Sequence, residues 1–254
     1  MKSLLLDVLC DPHTGNPFKL DIQKEENGEI LEGSLTAEGG ATYRITKGIP
    51  RFVVDDDYVK NFSFEWTQHQ TTQLDSAHHC QESEDRFAES LPFPLKDLAG
   101  KLVLDVGCGM GRFAEIVLKY GGTVVGIDLS YAVDAAWKNM GLHPQANFVQ
   151  ANVYELPFKP GSFDLIYSLG VLHHTPDPRA AFDHLPRLLK SGGTLMTTFY
   201  SAYNKAYVAA STFWRTVLRP LPRQWLYKAA HISIPLYYLW RSLKPRLKKQ
   251  IPAM

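Results

Sequence analysis

Two carboxylates, three glycines and a pair of histidines carry the chemistry this sequence is able to do. Asp105 and Asp128 each close a short apolar run, and Gly107, Gly109 and Gly111 follow the first at alternate positions. Further on, Ser168-Leu169-Gly170 precedes His173-His174. Glycines spaced in this way let the backbone turn tightly and approach a ligand that a Cβ would block. A pyrophosphate would bind the free N–H groups at the start of the following helix, and a carboxylate beside it would repel it. Asp105 therefore argues against a dinucleotide and for a ligand whose end is cationic. Asp128 lies 23 residues beyond Asp105. It is set to accept two ribose hydroxyls, or else to cap the next helix. Histidine titrates near neutrality, so His173 or His174 is able to take a proton from a nucleophile. A packing or loop-orienting role is open to both.

The elements that must position these groups follow from the apolar pattern. Leu102, Val103, Leu104 and Val106 make a strand buried on both faces. Phe113, Ile116, Val117 and Tyr120 fall at helical spacing, and Gly121-Gly122 stop that helix. Further strands are expected at Thr123–Asp128, Asn147–Ala151, Ser162–Ser168 and Thr194–Tyr200, the last after a Ser191-Gly192-Gly193 turn. Asp177-Pro178 starts a helix reaching about Lys190, which Pro186 should kink or break. Strands alternating with helices predict an α/β fold with a parallel, doubly wound sheet.

DVGCGMG, followed by GIDLS, SFDLIYS, VLHHTPDP and RLLKSGG, resembles class I S-adenosylmethionine-dependent methyltransferases, over roughly residues 96–200. The resemblance implies a Rossmann-like core and S-adenosylmethionine as cofactor. It carries cofactor contacts onto Asp105, Gly107, Cys108, Gly109, Gly111, Asp128, Leu129, Ser130, Asn152, Val153, Ser168, Leu169 and His173. Leu129 would pack on the adenine face. Asn152 stands where the family commonly has an acid, and its amide oxygen can accept the same bond from the adenine amino group. Ser168, Leu169 and Gly170 would line the methionine end. His173 and His174 are the candidate bases, with Tyr200 and Tyr203 as weaker candidates for substrate contact.

The flanks are less regular. Residues 1–54 hold turn signals at Asp11-Pro12, Asn16-Pro17, Asn27-Gly28 and Gly39-Gly40, which predict a small β module. It resembles the zinc-ribbon-like domain that often precedes such cores, through Leu9-Cys10-x-Pro12 and Gly48-Ile49-Pro50-Arg51-Phe52. Cys10 and His13 amount to half a site, and Thr36 and Gly39 stand where a second Cys pair would be, so the module is expected to hold no metal. Residues 55–95 read as a helical lid or linker carrying Phe64 and Trp66. His78-His79-Cys80 are neighbours that do not converge on one ion.

Residues 1–183 hold 15 Lys/Arg and 26 Asp/Glu, whereas 184–254 hold 12 Lys/Arg and no acid. The tail, 201–254, is basic and aromatic, cut by Pro220, Pro222, Pro235 and Pro245, and stands where a last β-hairpin would be expected. It suits an anionic surface, or helices covering the fifth strand's edge. A second copy of the chain is an alternative cover. No run is long and apolar enough to span a bilayer. Three widely spaced cysteines fit a reducing cytosol, with the tail allowing a place at the membrane periphery. Three functions compete: a methyltransferase on a small molecule or glycan, one on RNA, protein or a lipid-linked substrate recruited by the tail, and a non-catalytic S-adenosylmethionine-binding scaffold.

Overall fold

The computed structural model describes residues 1–53, 71–199 and 205–222, with isolated positions at 225, 226, 229, 231 and 233. Phe64, Trp66, Tyr200 and Tyr203 lie outside them. The chain divides into two units, 1–200 and 201–254.

The first unit is built on one nine-stranded sheet. Helix α1 (Leu4–Val8) leads into an antiparallel meander of β1 (Phe18–Glu26), β2 (Glu29–Ala37), β3 (Thr42–Thr46) and β4 (Ile49–Arg51). Helices α2 (Asp75–His78) and α3 (Glu82–Ser90) follow. Then come β5 (Leu102–Val106), α4 (Ala114–Lys119), β6 (Thr123–Asp128), α5 (Ala132–Met140), β7 (Ala146–Gln150), β8 (Phe163–Leu169), α6 (Pro178–Asp183) and β9 (Leu189–Thr198). The strand order is β1-β2-β3-β4-β7-β6-β5-β8-β9. Strands β4 to β9 pair in parallel, and β5 lies where the order reverses, which is the switch point at which such sheets take ligands. The second unit contributes α7 (Lys205–Leu218).

The core strands are apolar because both of their faces are covered. Leu104, Val125, Val149 and Ile166 pack on one face with Leu5, Phe158 and Leu172. Val103, Val124, Phe148, Leu165 and Tyr167 pack on the other with Phe87, Phe113 and Val117. The N-terminal meander joins the same sheet, since Arg51 on β4 pairs with Gln150 on β7. Phe52 N–H also donates to the Gln150 carbonyl at 2.8 Å.

Two expected boundaries need correction. The helix begun by Asp177-Pro178 ends at Asp183 rather than near Lys190, and Pro186 starts a separate 3-10 turn, Pro186–Leu188. Proline has no N–H to continue the ladder. The fifth core strand starts at Leu189 rather than Thr194: Ser191-Gly192-Gly193 lie inside it, accommodated by a register shift opposite Phe163–Leu165.

Candidate functional site

Asp105 sits on β5 in register between Gly126 on β6 and Tyr167 on β8. Gly126 makes room for Phe148 and Cys108, since a Cβ there would stand 2.8 Å from Phe148 and 3.1 Å from Cys108 Cβ. On the other side Tyr167 is fixed by Phe87, at 4.9 Å between ring centroids, and by Phe113 at 6.4 Å. Asp105 is buried, 3% exposed, and its Oδ2 has no hydrogen-bond partner. Burial pushes its pKa up to about 8; the Tyr167 hydroxyl partly offsets this and the charge of Asp128 adds to it. A cationic partner would stabilise the charged form of a carboxyl buried in this way.

The glycine turn beyond Asp105 is held by β6. Gly107 and Cys108 N–H both donate to the Ile127 carbonyl, at 2.8 and 2.9 Å. Gly109 N–H donates to Asp128 Oδ2 at 3.0 Å, and Gly111 N–H to the Cys108 carbonyl at 2.9 Å. Four N–H groups of the turn, those of Gly107, Cys108, Gly109 and Gly111, are therefore spent within the protein. Gly107 has φ +81° and lies under Val171, whose Cγ2 would be 2.6 Å from an added Cβ. Its lack of a side chain serves both the turn and the seating of the loop after β8. Cys108 is buried; burial, then the charges of Asp105 and Asp128, hold its thiol well above the usual range, so it is an inert packing group.

Asp128 ends β6. Its Oδ1 accepts the Ser130 N–H and hydroxyl at 2.8 and 2.7 Å. Burial raises its pKa, and these bonds with that from Gly109 work against the shift. Three accepted bonds leave room for about one more on a carboxylate. Leu129 is half-buried, and its carbonyl accepts Gln150 Nε2 at 3.0 Å. Asn152 Oδ1 accepts the Tyr154 N–H at 3.1 Å in a local turn, and one lone pair remains for another donor. Val153 beside it is half-buried against the core.

Ser168 is placed differently from its neighbours in the motif. It is fully buried, and its hydroxyl donates to the Val106 carbonyl at 2.9 Å, tying β8 to β5. Leu169 is half-buried, and Gly170 N–H donates to Thr198 Oγ1 at 2.9 Å. His173 and His174 lie in a 3-10 turn, Leu172–His174, with ring centroids 4.2 Å apart. His173 is half-buried and His174 exposed. Burial, then the neighbouring His174, lowers the pKa of His173, partly offset by the backbone of Thr198. Near pH 7 its ring is neutral and able to accept a proton.

Two contributors had escaped the motif reading. The Tyr154 hydroxyl donates to the Asp177 carbonyl at 3.0 Å and accepts the Asp177 N–H at 2.8 Å, joining the loop after β7 to the loop that carries the histidines. Arg51, from the N-terminal meander, reaches the far side of the Asp128 loop. Among the described residues, no group of three or more His, Cys, Asp or Glu is arranged to hold a metal ion.

Residues 104–197 match a family model described as a methyltransferase domain. The ubiquinone biosynthesis O-methyltransferase of Thiobacillus denitrificans is 38% identical over 133 residues, covering 50% of this chain and 56% of that protein. The protein of the same name from Pseudomonas paraeruginosa is 35% identical over 132 residues, with the same coverage. The chain thus matches little more than half the length of these curated relatives. Among solved structures, an S-adenosylmethionine-dependent methyltransferase from Mesorhizobium loti is 28% identical, with a TM-score of 0.40 and coverage of 44% of this chain and 51% of that one.

Proposed function

We propose that the class I, S-adenosylmethionine-dependent methyltransferase domain at residues 104–197 transfers a methyl group to a hydroxyl of a small acceptor. The observation that carries the reading is Asp105: a buried carboxyl group whose Oδ2 has no hydrogen-bond partner, at the start of a glycine turn and at the switch point of a parallel sheet. That arrangement fits a nucleoside whose far end is cationic. The ammonium and sulfonium of S-adenosylmethionine meet this requirement, and the bound cofactor supplies an already activated methyl group.

What remains for the protein is to align the acceptor with that methyl and to take its proton. Asp128 holds the ribose side and Leu129 packs against the base, while Asp105 takes the cationic end. His173 is the candidate base, because a half-buried, neutral imidazole in the loop whose Val171 lies over Gly107 can receive a hydroxyl proton. The relatives are named O-methyltransferases, which supports an oxygen acceptor. Titration calorimetry with S-adenosylmethionine and S-adenosylhomocysteine tests the site: saturable binding by the wild type, lost in Asp105→Ala and Asp128→Ala, is expected. An acceptor screen then tests the reaction. Turnover that survives His173→Ala at full rate would remove the base role, and binding without turnover on any acceptor would point to a scaffold.

A second reading concerns how the acceptor arrives. Helix α7 exposes Phe213, Trp214, Val217 and Leu218, and Leu221 and Trp225 beyond it are exposed as well. At 100° per residue those four helix positions fall on one face. With no acid in residues 184–254, this pattern suits the interface of an anionic membrane and thus a lipid-linked acceptor. Among the described residues no helix is long and apolar enough to cross a membrane. Co-sedimentation with vesicles of anionic phospholipid, lost in Trp214→Asp and in high salt, is the expected result; equal sedimentation of wild type and variant would discard the reading.

A further inference from the structure

Arg51 lies outside the methyltransferase domain, yet its guanidinium is the hub of a network around the Asp128 loop. Nη1 donates to Gln150 Oε1 at 2.7 Å and to Asp134 Oδ2 at 3.1 Å, and Nη2 donates to Asp134 Oδ1 at 2.9 Å. The guanidinium carbon lies 5.7 Å from the centroid of the Tyr131 ring. Each partner leads to the same segment. Gln150 is buried, 3% exposed, and passes the contact on through Nε2 to the Leu129 carbonyl. Asp134 stands in the first turn of α5, directly after the loop, and Tyr131 is in the loop itself. Arg51 thus meets the segment between Asp128 and α5 at Tyr131, holds the helix that follows it through Asp134, and reaches its start at Leu129 through Gln150.

From this we infer that Arg51 is a positioning residue for the cofactor: it fixes the Leu129–Tyr131 segment so that the Asp128 carboxylate and the Leu129 side chain stand ready for ribose and adenine. The inference rests on the assignment of that loop to S-adenosylmethionine. The side chain of Arg51 is only 15% exposed and its two-pronged contact with Asp134 only partly so, a setting in which a planar fork is not replaced by lysine. The N-terminal meander then acts as a brace for the binding loop.

The test pairs two measurements on Arg51→Ala, Arg51→Lys and Asp134→Asn. Hydrogen exchange on the ligand-free protein reads the loop itself: exchange at residues 129–135 should speed up in all three variants, while β5 and β8 stay protected. Calorimetry with S-adenosylmethionine reads the consequence. A residue in one hydrogen-bond network typically couples by an amount that corresponds to about tenfold in affinity, and a loss of about that size is expected in Arg51→Ala. Arg51→Lys should recover little of it, and turnover at saturating cofactor should stay near the wild-type rate. Adding Asp134→Asn to Arg51→Ala should cost less than the two losses multiplied. Wild-type affinity in Arg51→Ala and Asp134→Asn would overturn the inference while leaving the cofactor site intact. Failure of the wild type to bind would overturn the cofactor reading together with it. Asp134→Asn, which alters one oxygen, guards against a loss that reflects only failure to fold.

Discussion

Asp128 Oδ2 accepts the backbone N–H of Gly109 at 3.0 Å, so the carboxylate that ends β6 also holds the turn that follows β5. One side chain thereby orders the glycine turn and keeps a lone pair that the proposed function assigns to a ribose hydroxyl. Asp128→Ala removes both, and hydrogen bonds to a charged group are each worth roughly 1.5–3 kcal/mol, so cofactor affinity should fall by about tenfold to a hundredfold or more. Asp128→Asn keeps the shape and one acceptor and should fall between the two. Calorimetry with S-adenosylhomocysteine checks the order.

Asp105 makes the ligand-free protein pH-sensitive in a defined direction. Its pKa is about 8 in the fold against an ordinary 3.8. Between those values the folded chain retains a proton that the unfolded chain has released. The contribution is therefore fully present below pH about 4 and is lost as the pH rises through about 8. His173, with a lowered pKa, gives the opposite slope at its own titration below neutrality, so the comparison belongs above it. From pH 7 to 8.5, wild-type stability in denaturant titrations should fall relative to Asp105→Asn.

The same group predicts a proton released on binding. A cation beside Asp105 favours the carboxylate, so part of a proton should leave when S-adenosylmethionine binds at pH 7. Calorimetry in two buffers of different ionisation enthalpy reads that release directly. It should vanish in Asp105→Asn, and wild-type affinity should rise toward pH 8.

Gly107→Ala should be among the costlier single substitutions in the domain. It forces a Cβ onto a backbone with φ +81° and into the side chain of Val171. Strain and overpacking together should cost about 3 kcal/mol or more. Val171→Ala in the same chain should return the steric part and leave the backbone part. Thermal unfolding of the two variants separates them.

The two acids flanking α6 should behave differently. Asp177 caps the helix, accepting the N–H groups of Arg179 and Ala180 at 3.0 Å each, and Asp177→Ala should cost about 1 kcal/mol. Asp183 pairs with Arg179 across one exposed turn, and Asp183→Ala should change stability by less than about 0.5 kcal/mol. Urea titration of both is the check.

Much of the core was legible because its local signals agree. Thr123–Asp128 forms a strand over the expected residues, apolar and followed by the loop to α5. The Asp177-Pro178 helix start carries both its cap and its proline. Other features depend on register, which a linear pattern does not carry. Ser168 stands at a strand end, and only its position opposite β5 shows that its hydroxyl bonds the Val106 carbonyl. Ser191-Gly192-Gly193 reads as a turn, but these residues form an irregularity within β9, between Leu189 and Thr194, which both pair with β8. Arg51 was legible only as part of a short resemblance, because its partners Gln150 and Asp134 lie 99 and 83 residues away.

That distance has a kinetic side. The pairing of β4 with β7 closes a loop of about a hundred residues, and the entropy of such a closure must be met before its contacts reward it. On a ribosome adding about 5–20 residues per second, the meander waits some 5–20 seconds for its edge strand to be made. Strands β1 to β4 are made before the strand on which they dock, so Arg51 stands without Asp134 and Gln150 until β7 is made.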